Sequence, residues 1–145
     1  MKKKSIEFSL KAKKQEFHIE KIISSNDAYE YARKFYFDDL LIYESAFIIL
    51  LNMRNNTIGY AKISQGGVSS TIVDAKIVAK YAIESLSSGV ILVHNHPSGE
   101  LRPSKEDDNL TKRIKMALEF FEIKLIDHLI ITDKGFYSYV DEGKI

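Results

Sequence analysis

Two of the chain's histidines, His94 and His96, stand two residues apart after a short apolar run at residues 90–93. The side chains of a β-strand alternate between its two faces, so both imidazoles project from one face and can reach a single ion. Asp107 follows at the start of a predicted helix, where its carboxylate could supply a third ligand. Three protein ligands leave a fourth tetrahedral position open for water, the arrangement of catalytic zinc sites. The sequence therefore predicts a zinc site that can generate hydroxide near neutral pH.

Ser104 and Asp107 also have a purely structural interpretation. A serine at a helix N-cap and an acidic residue three positions later form a capping box, in which each side chain accepts from the other residue's backbone N–H. Capping and metal binding are compatible, because one carboxylate oxygen can bind an ion while the helix start fixes its direction. A non-haem iron site is an alternative, since two histidines and a carboxylate also form a facial triad. Sites of that kind usually begin with His-x-Asp or His-x-Glu, so the His-x-His spacing favours zinc.

The elements that must position these residues alternate between helix and strand. Apolar residues recur at helical spacing after residues 24–27, after Asp74 and after Ser104, and each of these positions offers a helix N-cap. The pattern assigns Leu86 to the buried face of the second helix and Phe121 to that of the third. Strands are predicted at residues 46–51, 57–64, 90–93, 124–132 and 136–140. This order predicts an α/β fold, with a mixed β-sheet flanked by helices on both faces.

The composition limits the classes of function. The chain has 145 residues, enough for one domain, and 45% of them are hydrophobic. Cysteine is absent, which excludes disulfides, cysteine-ligated zinc, iron–sulfur clusters and thiol nucleophiles, so any metal must be held by carboxylates and the four histidines. Twenty-one basic and twenty acidic residues give a net charge of +1. Such a chain lacks the broad positive field of non-specific DNA-binding proteins, and we expect no nucleic-acid partner.

Residues 1–25 are expected to form a basic N-terminal extension, and residues 26–145 a single domain. The first 16 residues hold six lysines and two glutamates. We favour a solvated extension over a nucleic-acid-binding arm. Alternating residues at 8–10 and 17–19 predict that part of the extension pairs with the sheet. The sequence shows neither a membrane-length apolar run nor the apolar region of a secretory signal, so we expect a cytoplasmic protein without membrane contact.

The predicted metal-binding segment resembles a known motif. His94-x-His96, seven further residues, Ser104, two residues and then Asp107 match the JAMM motif of JAB/MPN metalloproteases. The longer string His-Asn-His-Pro-Ser-Gly is similar to the RadC branch of that superfamily, as are residues 125–132 and 137–143. The resemblance therefore implies a JAB/MPN sandwich, which is similar to the cytidine deaminase fold.

The resemblance extends from about residue 43 to residue 145. Full-length RadC proteins resemble a JAB domain preceded by a helical domain of DNA-binding type. Only 43 residues precede Glu44 here, so we expect that additional domain to be absent.

The resemblance also implies roles for individual residues. His94, His96 and Asp107 would bind one zinc ion per chain. Glu44, which precedes an apolar strand, would hold and deprotonate the water as a general base. Ser104 would donate a hydrogen bond that supports the tetrahedral intermediate. The implied activity is that of a zinc metallopeptidase or isopeptidase acting on a peptide or protein, whose identity the sequence does not reveal.

Two other functions are compatible with the resemblance. A non-catalytic JAB domain could retain the fold and the metal as a binding module, and the RadC name and the N-terminal lysines suggest a DNA repair factor. The complete set of five site residues favours the enzyme, and the near-neutral charge argues against DNA. Oligomeric state is not predicted.

Two further segments contain candidate residues. Asp127-His128 could orient a metal ligand, although we favour a hydrogen-bonded structural histidine. Residues 65–73 are expected to contribute to substrate specificity.

Overall fold

The computed structural model describes residues 1–36, 38–67 and 72–145. Within these residues, three α-helices alternate with the strands of one five-stranded sheet. The strands are β1 (Ser45–Leu51), β2 (Thr57–Gln65), β3 (Gly89–Asn95), β4 (Lys124–Thr132) and β5 (Gly135–Ser138). The helices are α1 (Ser25–Arg33), α2 (Ala75–Glu84) and α3 (Lys105–Glu119), and a short 3-10 helix spans Asp38–Leu41. The predicted mixed α/β fold is confirmed.

The strand order brings three separate parts of the sequence to one edge of the sheet. The order is β2-β1-β3-β4-β5, with β1 antiparallel to both of its neighbours and β3 parallel to β4. A parallel pair needs a crossover connection, which α3 supplies. The end of β3 therefore lies beside the beginning of α3. The antiparallel register sets Ala46 opposite His94, so the start of β1 lies at this edge as well.

Helices cover both faces of the sheet, which is why β1 and β3 are buried along their whole length. On one face, α1 contributes Ala28, Tyr31 and Ala32 to a core with alternate residues of β1, β3 and β4. On the other face, the intervening strand residues pack against α2 and α3. The buried helical residues there are Val78, Ala82, Ile114 and Leu118.

Each of these three α-helices starts after an N-cap residue whose side chain accepts a backbone hydrogen bond, as the sequence predicts. Ser24, Asp74 and Ser104 each accept a hydrogen bond from a backbone N–H of the first helical turn. At Ser24 and Ser104 the capping box is complete. These bonds satisfy N–H groups that have no partner within the helix. None of the helices in the described part of the chain has the length and apolar character that crossing a bilayer requires.

Three local predictions were wrong because regular elements end earlier than the patterns indicate. Leu86 is 85% exposed, since it follows the end of α2 with a left-handed φ of 54°. Phe121 is 52% exposed and follows the end of α3. The last strand ends at Ser138, before the predicted residue 140. There the Asp127 carboxylate accepts hydrogen bonds from the Ser138 hydroxyl, at 2.6 Å, and from the Val140 backbone, at 3.1 Å, which turns the chain.

The N-terminal segment meets the sheet at a different point from the one predicted. Residues 8–10 and 17–19 are not strands, so the strand character predicted for them was wrong, although part of the extension does pair with the sheet. Instead, Lys21 forms an isolated antiparallel bridge with Asn56, just before β2 begins. Phe17 packs against the core on the α1 side of the sheet. Side-chain packing and a single bridge therefore hold this segment, rather than a continuous strand.

We expect Leu92→Ala to lower the free energy of unfolding by about 2–5 kcal/mol, because truncating a buried leucine leaves a cavity. Leu92 lies in β3, is fully buried and packs against α2 and α3. Leu86→Ala is the matched control, since the same change at an exposed position should cost no more than about 0.5 kcal/mol. Urea denaturation of both variants measures the difference, and equal losses would contradict the assignment of β3 to the core.

Candidate metal centre

Four side chains that could bind a metal ion converge where β1 begins, β3 ends and α3 begins. His94 is near the end of β3, and His96 follows that strand. Asp107 lies in the first turn of α3, and Glu44 directly precedes β1. One potential ligand atom from each of the four residues lies within 4.8 Å of all the others. The structure therefore brings together all of the predicted metal ligands and the predicted general base.

The distances between these atoms fit a single ion. The two histidine Nε2 atoms are 2.9 Å apart, and each lies 3.3 Å from a different oxygen of Asp107. Glu44 Oε1 is farther away, 3.8 Å from His94 Nε2. Bonds of 2.0–2.1 Å to a tetrahedral zinc ion would separate neighbouring ligand atoms by about 3.3 Å. The nitrogen and oxygen donors therefore have both the spacing and the chemistry that a divalent transition metal requires.

A backbone carbonyl fixes the orientation of His96. Nδ1 of His96 lies 2.7 Å from the carbonyl oxygen of Glu100. A carbonyl oxygen can only accept, so Nδ1 carries a hydrogen and donates it. In the neutral ring this leaves the lone pair on Nε2, the atom that faces His94 and Asp107. The loop after β3 thus holds His96 in the tautomer that a metal ligand needs.

His94 makes a corresponding contact with a third histidine. Its Nδ1 lies 2.7 Å from Nε2 of His128, a fully buried residue of β4. The structure thus places His128 directly behind His94, in the position of a residue that orients a ligand. The neighbouring Asp127 does not contact the His94 ring in this way. Its carboxylate accepts hydrogen bonds from the backbone N–H of His128 and from the hydroxyl of Ser138.

Asp107 combines helix capping with a position at the centre. Its Oδ2 accepts a hydrogen bond from the backbone N–H of Ser104 at 2.8 Å, and its own backbone N–H donates to the Ser104 hydroxyl oxygen at 3.1 Å. This is the predicted capping box. The Ser104 hydroxyl, which accepts here, still has a hydrogen to donate, and the residue is exposed.

Mutual electrostatic effects shift the pKa values within the cluster. Burial raises the pKa of Asp107. The rings of His94 and His96, which donate to its carboxylate from Nε2 when they are protonated, outweigh this rise and hold that pKa well below its usual range. Burial lowers the pKa of His96, but its bonds to Asp107 and to the Glu100 carbonyl outweigh it, so that this pKa is raised. Burial raises the pKa of Glu44, and the two histidines only partly offset this rise. Asp107 is thus an anion, while Glu44 binds a proton more readily than an ordinary glutamate does.

Asn95 was missed as a site residue, although it stands between the two histidines. It is fully buried on the opposite face of β3. Its Oδ1 accepts from the Ser45 backbone N–H at 2.8 Å, and its Nδ2 donates to the carbonyl of Tyr43 at 2.7 Å. Asn95 therefore holds the backbone on both sides of Glu44. Strand alternation could have revealed it, because a buried amide on the opposite face must find polar partners.

The backbone of Glu44 is also bonded to the segment that follows β2. Its N–H donates to the carbonyl of Gly67 at 3.1 Å, and its carbonyl accepts from the N–H of Gly66 at 2.8 Å. These residues begin the predicted specificity loop, residues 65–73, of which residues 68–71 lie outside the described residues. The described part of that loop thus lies next to Glu44.

We expect Asn95→Ala to lower the free energy of unfolding by about 2–3 kcal/mol, because it leaves buried backbone groups around Glu44 without partners. Asn109→Ala, at an exposed position of α3, is the control and should be close to neutral. Guanidinium denaturation measures both. A value for Asn95→Ala as small as that of the control would contradict a structural role for the amide.

Comparison with known proteins identifies the family of this chain. The family model of the RadC-like JAB domain matches residues 22–144. The chain is 45% identical over 125 residues to a UPF0758 protein of Flavobacterium johnsoniae, covering 86% of this chain and 54% of that protein. It is 41% identical to a UPF0758 protein of Porphyromonas gingivalis, with the same coverage. A UPF0758 protein of Thermotoga maritima is 36% identical, covering 87% of this chain and 55% of its own length. The chain thus spans about half the length of these curated relatives.

Proposed function

Because the chain belongs to the family of RadC-like JAB domains, we propose that it is a zinc-dependent hydrolase that cleaves amide or isopeptide bonds in a peptide or protein. The observation that carries this proposal is the convergence of Glu44, His94, His96 and Asp107 on one point. A binding module would need the fold but not a carboxylate base beside three metal ligands. Both the hydrolytic activity and the class of substrate are proposed here for this chain.

His94, His96 and Asp107 are the residues that would hold the metal. Two imidazoles and one carboxylate suit zinc in both ligand type and number. When bound at such a site, zinc lowers the pKa of a water molecule and polarises a carbonyl group. The low pKa of Asp107 keeps this ligand ionised across the physiological range, so no proton has to leave it before a cation binds.

Glu44 is proposed as the general base. Its carboxylate lies within the cluster but farther from His94 Nε2 than that of Asp107, at 3.8 Å against 3.3 Å. That position suits a group that takes a proton from the attacking water and holds it on a carboxylate oxygen. The raised pKa of Glu44 favours this role, because a base works best when its pKa is near the operating pH. The same oxygen would then pass the proton to the departing amine.

Ser104 is proposed as a donor to the substrate carbonyl oxygen. Its hydroxyl oxygen accepts from the Asp107 backbone, which fixes the side chain at the beginning of α3, while the hydroxyl hydrogen can point towards a substrate. A donor held in this way stabilises negative charge as it develops on the carbonyl oxygen. The capping bond and the catalytic role therefore use different parts of one hydroxyl group.

We expect the purified protein to bind about one zinc ion per chain and His96→Ala to lose most of it, because a site with two remaining ligands binds zinc weakly. His18→Ala is the matched control, since His18 is exposed in the N-terminal segment and should not affect metal content. Metal analysis after dialysis measures both variants. Wild-type protein without zinc affinity, or equal zinc in His96→Ala and wild type, would contradict the proposed site.

We expect Glu44→Gln to retain zinc but to lose hydrolysis by at least about 100-fold, because the amide cannot take a proton from water. Glu119→Gln, an exposed change at the end of α3, should retain both. The assay uses a panel of fluorogenic peptides together with peptides joined through a lysine side chain. Wild-type protein that binds zinc but cleaves none of them would contradict the hydrolase and favour a binding module.

A further inference from the structure

A buried chain of hydrogen bonds joins the back of His94 to the backbone of Asp107. His94 Nδ1 lies 2.7 Å from His128 Nε2, and His128 Nδ1 lies 2.6 Å from Thr111 Oγ1. The Thr111 hydroxyl in turn lies 2.8 Å from the carbonyl oxygen of Asp107. This series of hydrogen bonds thus begins at one proposed metal ligand, His94, and ends at another, Asp107.

The direction of every hydrogen bond in this chain follows from its last member. The Asp107 carbonyl can only accept, so the single hydroxyl hydrogen of Thr111 is donated to it. Thr111 Oγ1 must then accept from His128, which places a hydrogen on His128 Nδ1. In neutral His128 the other nitrogen is an acceptor, and it takes a hydrogen from His94 Nδ1. His94 Nε2 is left with its lone pair directed at Asp107 and His96.

The surroundings hold this arrangement in place. His128 is fully buried and Thr111 is only 3% exposed, so water does not compete for these bonds. The ring of Tyr139 stacks on the ring of His128, with centroids 4.7 Å apart and planes 5° from parallel. The Tyr139 hydroxyl donates to Asp108 at 2.8 Å, which ties the stacked ring to the first turn of α3. The imidazole of His128 therefore cannot rotate without breaking contacts on both sides.

We propose that Thr111 and His128 are positioning residues that hold His94 as its Nδ1–H tautomer, and thereby direct Nε2 at the metal. The inference deepens the proposed function and rests on it for the identity of the metal site. Neither residue belongs to the group of candidate ligands, so each would act through a neighbouring side chain. Thr111 is positioned to serve both ligands, because it follows Asp107 by one helical turn and lies on the same face of α3.

Thr111→Val is the decisive variant, because valine keeps the shape of threonine and removes only the hydroxyl. His128 then loses its acceptor at Nδ1 and is free to carry its hydrogen on Nε2. That hydrogen would point at His94 Nδ1 and force the His94 hydrogen onto Nε2, where the metal should bind. We expect zinc affinity to fall about 10- to 100-fold, the usual effect of losing a group that orients a ligand.

Thr111→Ser restores the hydroxyl and should recover zinc affinity to near the wild-type value. Thr57→Val is the matched control, since Thr57 is equally buried and its hydroxyl accepts from Glu20 at the beginning of β2. Competition with a chromophoric chelator measures zinc affinity in each variant, and thermal unfolding shows that each is folded. Equal affinity in wild type and folded Thr111→Val would overturn the proposal.

A second measurement separates this inference from the proposed function. Nitrogen-15 NMR of the imidazoles, in metal-free protein at mildly alkaline pH, identifies which nitrogen of His94 carries the hydrogen. We expect Nδ1–H in wild type and Thr111→Ser, and a shift towards Nε2–H in Thr111→Val. Wild-type His94 with its hydrogen on Nε2 would overturn the inference even if zinc binds. Conversely, the expected tautomers in a protein that binds no zinc would support the positioning role and refute the zinc hydrolase.

Discussion

The candidate centre depends on the crossover that joins β3 to the parallel strand β4. A crossover through a helix places the end of the first strand near the beginning of that helix, so His94 and His96 meet Asp107 without a long loop. The antiparallel register of β1 against β3 then adds Glu44 at the same edge. Two buried strands and a capped helix therefore carry or directly flank all four residues of the candidate centre, and such elements are more precise supports than flexible loops.

Asp107 contributes both to the start of α3 and to the candidate metal centre. Its side chain caps α3 and faces both histidines, while its backbone carbonyl ends the hydrogen-bond chain that starts at His94. A negative charge in the first turn of a helix is also stabilised by the helix dipole. One residue therefore stabilises the helix and, at the proposed metal site, would attract the cation and help to orient another ligand. Replacing it would disturb all three functions, so a loss of metal binding on its substitution could not be assigned to ligation alone.

Much of this arrangement could be predicted from the sequence. The spacing of the two histidines predicted that they can reach one ion, and their Nε2 atoms lie 2.9 Å apart although His96 follows β3. The capping pattern located the beginning of α3. The supporting contacts could not be predicted, because they join residues far apart in the sequence. Nothing near Thr111 indicates that His128 lies against it, since that contact requires the register of β4 beside α3. The exposure of Leu86 likewise depends on where α2 stops, which helical spacing alone does not reveal.

The contacts of the N-terminal segment cover part of one edge of the sheet. β2 is one of the two edge strands of the sheet, and an uncovered edge strand offers unpaired N–H and C=O groups to other chains. Here the backbone N–H of Thr57 donates to the carbonyl of Glu20 at 2.8 Å, and the ring of Phe17 stacks on that of Tyr60 with centroids 5.6 Å apart. These contacts shield the first part of β2. The segment before α1 thus occupies backbone groups that the start of this strand would otherwise offer to another chain.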